Sequence, residues 1–122
     1  MAVPLEDSFK KAVTELLFLQ LISERPYYIG ELAEVIQKRS RSALSIVFPY
    51  AAIYRLIERG HIEEIKKQNA PDGRRRQYYQ ITESGRTYLE ELLCVYRKLT
   101  DGVAAVILKG GTEDDASSGK QL

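Results

Sequence analysis

The chain has 122 residues, 44% of them hydrophobic and 29% charged, and a net charge of +1, which predicts one globular domain with a modest core. No apolar run approaches the roughly eighteen residues of a membrane span, and the first residues lack the basic-then-apolar order of a secretory signal. The single cysteine, Cys94, excludes an internal disulfide framework, so we expect a reducing, cytoplasmic location.

Two helices are predicted at the start of the chain. Apolar residues at helical spacing indicate a first helix over Leu5–Glu24, and residues 16–22 are apolar nearly all round it, so both of its sides should be covered. Pro26 ends this helix, and residues 27–30 are predicted to form a turn. A second helix follows over Glu31–Arg39, with acidic residues in its first turn and basic residues in its last.

A third helix of about three turns is predicted within residues 46–62, after a polar linker. Pro49 suits the first helical turn, and Gly60 suits the position just past the helix end. Helix, turn, helix, linker and helix is the order of a helix-turn-helix core.

The predicted third helix has one apolar and one basic face. Its buried stripe would consist of Ile53, Leu56 and Ile57. Arg55 and Arg59 fall on the opposite side, and Ala51 and Ala52 leave the early part of that side nearly bare, as a recognition helix requires for close approach to DNA. An ordinary amphipathic helix with solvated arginines is the alternative.

A β-hairpin is predicted next, from strands over Ile62–Gln68 and Arg74–Thr82 joined by a turn at Asn69–Gly73. The first strand does not alternate cleanly, which predicts a bulge. The return strand would place Arg75, Gln77, Tyr79 and Ile81 on one face and Arg76, Tyr78 and Gln80 on the other.

After a recognition helix, such a hairpin is a wing. Its tip would hold Lys66, Lys67, Arg74, Arg75 and Arg76 beside the DNA backbone; a solvated edge that resists aggregation is the alternative.

The basic residues of the chain are concentrated in its middle. Residues 38–76 contain ten basic and four acidic side chains, a net charge of +6 in a chain whose total is +1. A basic segment between acidic flanks predicts one face directed at a polyanion.

Thr82 is a natural N-cap for a last helix that begins at Glu83 and runs to Leu108. This helix carries a heptad seam formed by Leu89, Leu92, Tyr96, Leu99, Val103 and Val106. Such a seam packs on another helix, which predicts a homodimer; packing on the first helix of the same chain is the alternative. Residues 109–122 are rich in glycine, serine and acidic residues and predict a flexible tail.

The sequence offers little for catalysis. His61 is the only histidine and Cys94 the only cysteine, so one chain cannot form a His/Cys metal cluster, and no phosphate-binding glycine loop is present. We therefore expect no metal, no cofactor and no enzymatic activity. His61, beside Gly60 at a helix–strand joint, is expected to be structural.

Two motifs resemble the PadR family of winged-helix transcriptional regulators. Tyr50 and the segment Ile53–Ile62 are similar to the family's tyrosine, its leucine-x-arginine-leucine helix and its glycine-x-isoleucine exit. The segment Gly73–Gly85 is similar to the family's basic run, double tyrosine and threonine-glutamate-x-glycine start of the last helix. The likeness covers roughly residues 9–108. Two departures are the Tyr28-Ile29 pair, where the family often has tyrosine-glycine, and the apolar Ile46–Pro49 segment before the recognition tyrosine.

The resemblance implies a mostly α fold with a small β-hairpin. Residues 5–82 would form a winged helix-turn-helix DNA-binding domain, 83–108 a dimerisation helix and 109–122 a flexible tail. The expected function is sequence-specific binding of double-stranded DNA as a homodimeric repressor that a small aromatic ligand releases. The DNA-binding residues would be Tyr50, Ala51, Tyr54, Arg55, Arg59, Lys66, Lys67, Arg74, Arg75 and Arg76. Tyr88 and Tyr96 would contact the ligand near the dimer interface.

A different class of function stays open. The apolar Ile46–Pro49 segment could dock a protein, which would make the chain a winged-helix interaction module without DNA binding. Alternatively, the segment could contact thymine methyl groups, or Phe48 could be buried.

Overall fold

The structure, a computed structural model, describes the backbone of residues 5–46 and 49–111 and the side chains of residues 13–46 and 49–108. Its elements in chain order are α1 (Leu5–Glu24), β1 (Tyr27–Tyr28), α2 (Ile29–Arg39), α3 (Tyr50–Glu58), β2 (Ile62–Glu64), β3 (Gln68–Asn69), β4 (Arg75–Arg76), β5 (Tyr78–Ile81) and α4 (Glu83–Gly111). The predicted class, mostly helical with a small β element and a long last helix, is confirmed.

The chain divides after Glu90 into two compact units. We call residues 13–90, the part of the first unit whose side chains are described, the body; it contains most of α1, all of α2 and α3, all the strands and the start of α4. We call residues 91–108 the distal segment of α4. Asp101 and Gly102 lie within α4, which continues through them to Gly111.

α1 lies in the core of the body. Its side chains Leu16, Phe18, Leu19, Leu21 and Ile22 are buried, so the prediction that both sides of this helix are covered is confirmed. α2 contributes Leu32 and Ile36 to the core, and α3 contributes Ile53 and Leu56. Because α1 is apolar on several faces, it contacts both α3 and the sheet.

The segment at residues 27–30 is not a turn, contrary to the prediction. Tyr27 and Tyr28 form β1, which pairs antiparallel with β5, and α2 begins two residues earlier than predicted, at Ile29. The Tyr27 side chain is buried, so this short strand is fixed by packing as well as by its backbone ladder. The strand propensities of residues 27–30 could not predict β1, because the strand with which it pairs lies about fifty residues later in the chain.

The predicted hairpin strands are each divided in two. β2 pairs with β5 in the three-stranded sheet β1-β5-β2, whereas β3 and β4 form a separate ladder. The division occurs at Gln77, whose side-chain amide donates to the carbonyl oxygens of Ile65, at 2.5 Å, and Tyr78, at 3.1 Å. The irregular spacing of the first strand predicted imperfect pairing here, and the strand does end at Glu64.

The return strand is covered on both of its predicted faces at β5. Tyr78 and Tyr79 are adjacent, and both are buried. The ring of Tyr28 from β1 meets Tyr78 edge to face, with 5.5 Å between ring centroids. The extra strand therefore covers a face that a two-stranded hairpin would expose.

α3 is shorter than predicted, with nine residues, and Pro49 is its N-cap instead of part of its first turn. Its end agrees with the prediction for Gly60, which has φ +76°. The amide of Gly60 donates to Ile57 O at 2.9 Å, and that of His61 donates to Leu56 O at 2.8 Å, the pattern of a Schellman motif. Ala52 is only 4% exposed, so the prediction that it lies on the bare outer side is wrong; it packs in the core, and Ala51 is exposed.

α4 begins as predicted. The amide of Gly85 donates to Thr82 Oγ1 at 3.0 Å, which makes Thr82 the N-cap. A Cβ atom at Gly85 would lie 2.0 Å from the carbonyl oxygen of His61, so only glycine lets the helix approach this close to the start of β2.

α4 extends three residues beyond its predicted end, into the segment that was predicted to be a tail. Lys109–Gly111 belong to α4, so assigning them to a tail was wrong, and residues 112–122 lie outside the described residues. Where the structure is described, no helix combines the length and the apolar character needed to cross a membrane.

Candidate nucleic-acid interface

The outward face of α3 carries the residues that the sequence predicted for DNA recognition. Tyr50 and Tyr54 are 54% and 61% exposed, and their ring centroids lie 6.4 Å apart. Ala51, Arg55 and Arg59 are exposed as well. Ile53 and Leu56 are fully buried on the other side. α3 and its C-cap Arg59 therefore offer solvent two phenol hydroxyls, one small side chain, two guanidinium groups and the carboxylate of Glu58.

Arg55 is held by a carboxylate from another helix. Its Nε donates to Oε2 of Glu15 on α1 at 2.5 Å, and the two side chains are 44% and 18% exposed. The other carboxylate oxygen of Glu15 accepts a hydrogen bond from the Tyr88 hydroxyl at 3.4 Å. Helical spacing predicted the same role for Arg55 and Arg59, and nothing in that spacing indicated Glu15.

His61 joins the end of α3 to the start of α4. Its Nδ1 lies 2.9 Å from Ser84 Oγ, and its ring stacks on Tyr88 with centroids 4.4 Å apart and 14° between planes. The hydroxyl of Thr82 donates to Gly60 O at 2.6 Å. These contacts support the structural role predicted for His61. They also cover one face of the Tyr88 ring, which the sequence assigned to an aromatic ligand.

The wing consists of residues 66–76, which comprise the ladder β3–β4, its turn and the two lysines before β3. The amide of Gly73 donates to Ala70 O at 2.9 Å, the amide of Ala70 donates to Arg74 O at 2.8 Å, and Gly73 has φ +85°. The turn predicted from this sequence is therefore confirmed. Four basic residues of the wing are exposed: Lys66, Lys67, Arg74 and Arg75.

Arg76 differs from the other wing arginines because it is half-buried and paired. Its Nη2 donates to Asp72 Oδ2 at 2.6 Å, and its guanidinium carbon lies 5.0 Å from the centroid of the Tyr28 ring. The hydrogen bond from Arg76 lowers the pKa of Asp72, and the backbone amide of Arg74 lowers it further. Arg76 thus ties the wing to β1, and a contact to DNA would have to compete with these partners.

Some of the basic residues in the middle segment are already paired with carboxylates of the same chain. Of the ten basic residues between 38 and 76, Arg39, Arg55 and Arg76 form salt bridges with Glu24, Glu15 and Asp72. Among the residues that the structure describes, seven have no salt bridge: Lys38, Arg41, Arg59, Lys66, Lys67, Arg74 and Arg75. Arg41 was absent from the predicted DNA contacts. It lies in the linker before α3 with φ 55°.

The distal segment exposes an apolar stripe. Leu89, at the start of the seam, is buried within the body, and Leu92 is half-buried. The later seam residues Tyr96, Leu99, Val103 and Val106 are 44%, 58%, 59% and 74% exposed. Leu99, Val103, Val106 and Ile107 line an open groove on this segment. An apolar stripe of this kind marks an interaction surface.

No ligand set for a metal emerges from the described part of the chain, where no group of three or more histidine, cysteine, aspartate or glutamate residues converges. Cys94 is a free, exposed thiol. Val47 and Phe48, in the apolar segment before α3, lie outside the described residues, while Pro49 is buried.

The family model of the transcriptional regulator PadR-like family matches residues 18–91. An uncharacterized protein from Lysinibacillus sphaericus is 31% identical over 78 residues, which are 63% of this chain and 72% of that protein. The structure is similar to a PadR-like transcriptional regulator from Bacillus cereus, with TM-score 0.70, 26% identity and coverage of 82% and 96% of the two chains. It is also similar to a transcriptional regulator from Clostridium thermocellum, with TM-score 0.67, 25% identity and coverage of 80% and 94%.

Proposed function

Because this chain belongs to the PadR-like family of transcriptional regulators, we propose that it binds double-stranded DNA sequence-specifically and represses transcription as a homodimer. Membership of this family means that the chain is a regulator and not an enzyme. The single observation that carries the proposal is the exposed α3 face, with its tyrosines, its small residue and its arginines, in the same compact unit as the wing. Four basic residues of the wing are exposed and form no salt bridge within the described part of the chain.

In the proposed complex, α3 lies in a major groove and the wing lies along the backbone. Tyr50, Ala51, Tyr54, Arg55 and Arg59 face the base edges, with Ala51 allowing close approach. Lys66, Lys67, Arg74 and Arg75 contact phosphates and give affinity without sequence information. Arg76 serves mainly to hold the wing in position, since Asp72 and Tyr28 already occupy it.

The proposed dimer forms through α4, with residues 5–82 as the DNA-binding domain. The exposed seam residues of the distal segment support this, because isolated chains rarely leave so many large apolar side chains in water. A second copy would cover them by heptad packing. In a symmetric dimer the two recognition helices would contact half-sites about one helical turn, ~34 Å, apart.

The most specific part of the proposal is that a small aromatic ligand binds the protein and weakens its binding to DNA. Tyr96 is 44% exposed on the distal segment and has a ring available for stacking. Tyr88 would offer only one face, since His61 covers the other. Calorimetry with planar aromatic compounds, followed by duplex binding in their presence, tests this step.

The test of DNA binding is a salt titration. A duplex selected from a random pool is labelled, and fluorescence anisotropy gives its affinity at several salt concentrations. We expect log K to fall steeply with log salt. Arg74→Ala/Arg75→Ala should reduce the slope by about 3.6, since the dimer loses four phosphate contacts and each contributes about 0.9. Arg86→Ala is the matched control: this exposed arginine lies on α4, outside the proposed interface, and the slope should not change. A slope near zero for the unchanged protein would overturn the proposal.

A further inference from the structure

The ion pair between Arg55 and Glu15 suggests that Arg55 on α3 and Arg59 at the C-cap of α3 have different roles in DNA binding. Arg59 has no salt bridge among the described residues, whereas Arg55 is bound through its Nε by a carboxylate anchored on α1. Resting on the proposed DNA binding, we propose that Glu15 is a specificity-determining residue, which orients Arg55 for one guanine and keeps it from binding phosphates.

The geometry of the guanidinium supports this assignment. Arginine carries five N–H donors in a planar fork, and the carboxylate of Glu15 engages the Nε side of that fork. No other hydrogen bond of the Arg55 side chain occurs among the described residues, so Nη1 and Nη2 keep their donors for a ligand. Two parallel donors are what the O6 and N7 acceptors of guanine require, and this is the commonest specific contact between a side chain and a base.

The position of Glu15 supplies the rigidity that such an orientation requires. It lies on α1 between Thr14 and Leu16, both of which are buried, and its carboxylate is more buried than the guanidinium it holds. The Tyr88 hydroxyl binds its second oxygen. An arginine that is already ordered loses less side-chain entropy when it binds a base.

The charge of Glu15 also acts against the wrong ligand. Every duplex presents phosphates, and a free arginine would bind them at any sequence. A carboxylate at 2.5 Å from Nε neutralises much of the Arg55 charge and repels a phosphate that approaches the same group. A guanine edge is uncharged, so it does not suffer that repulsion.

The test is Glu15→Gln, which keeps the size of the side chain and removes its charge. From a random duplex pool, the unchanged protein should select a guanine at one symmetric position in each half-site, and Glu15→Gln should lose this preference. The ratio of selected-duplex to scrambled-duplex affinity should fall about a hundredfold, because the dimer loses one base contact in each half-site and each contact is worth about tenfold. The salt slope should steepen by about 1.8, because the Arg55 of each protomer becomes free to bind a phosphate.

Three further variants separate this role from a merely structural one. Arg55→Lys keeps the charge but lacks the fork, and it should lose the same guanine. Glu15→Gln made in an Arg55→Ala background should change neither the ratio nor the slope. Tyr88→Phe removes the hydroxyl contact and keeps the ion pair, so its ratio should stay within about twofold.

Two different failures can be told apart. If the unchanged protein binds duplexes but Glu15→Gln retains the guanine and the affinity ratio, the role of Glu15 is overturned and the proposed function stands. An equal loss of specificity in the Arg55→Ala background would also overturn it, since Glu15 would then act without Arg55. If the unchanged protein binds no duplex, both proposals fall together.

Discussion

α1 and the distal segment of α4 are both apolar helices, but they differ in what surrounds them. The apolar side chains of α1 from Leu16 to Ile22 are buried or half-buried by the other elements of the body. The large apolar side chains of the distal segment are at least 44% exposed, from Val95 to Leu108. Apolar spacing therefore indicates that a helix face must be covered, but it does not indicate whether the same chain or a second copy covers it.

The largest expected effect is on dimerisation, and it tests whether a second copy covers the distal segment. Leu99→Glu/Val103→Glu places charges on the exposed stripe and should convert a dimer into monomers. Burial of one such side chain contributes about 1.5–3 kcal/mol, so losing four per dimer costs roughly 6 kcal/mol or more, about four orders of magnitude in the dissociation constant. Sedimentation equilibrium measures the change.

Arg97→Glu is the matched control for the stripe variant, because it adds a negative charge next to the seam instead of on it. It should leave the association constant nearly unchanged. The circular dichroism of the body should survive in the double variant, since the core residues belong to residues 13–90. A double variant that still dimerises would show that another surface joins the copies.

The next largest effect is on the stability of the body, and it tests whether the core lies there. Leu19 is fully buried on α1, and Leu19→Ala should reduce the free energy of unfolding by about 2–5 kcal/mol. Made in the Leu99→Glu/Val103→Glu background, it can be measured by urea denaturation without a contribution from assembly. Ile107→Ala, at an exposed apolar position of the distal segment, should change that free energy by less than about 0.5 kcal/mol. Equal effects of the two substitutions would contradict the comparison.

The elements that the sequence predicted well depend on local spacing. The bounds of α1 agree with the prediction, and the cap of α4 and the turn at Gly73 follow from residues close together in the chain. β1 was missed because its partner, β5, lies about fifty residues later. The sequence could predict that Ile53 and Leu56 are buried, since they repeat at helical spacing, but it misassigned Ala52, whose small side chain fits either face.

The candidate site shows the same limit. Helical spacing alone placed Ala51, Arg55 and Arg59 on the exposed side of α3, and the structure agrees. The pairing of Arg55 with Glu15 spans forty residues, and the contact of Arg76 with Tyr28 also joins separate elements. Charge counting treats all these arginines alike, whereas packing decides which of them are free to meet DNA.

The smallest expected effect concerns the backbone of the body. Arg41 follows the C-cap of α2 with φ 55°, and the amide of Ser42 donates to Gln37 O at 2.8 Å. This is the position at which glycine normally ends a helix, and a side chain there costs about 1–2 kcal/mol. Glycine removes that cost but adds about 0.5–1 kcal/mol of chain entropy to the unfolded state, so Arg41→Gly should stabilise the body by about 0.5 kcal/mol.

Arg41→Ala separates the backbone effect from the side chain, because it removes the same guanidinium and keeps the Cβ atom. Only the glycine variant should raise the urea midpoint in the monomeric background. If alanine stabilises equally, charge repulsion within the basic segment is the cause instead of the left-handed backbone. If both variants also weaken duplex binding to the same extent, Arg41 contacts the DNA, and the linker before α3 belongs to the interface together with the wing.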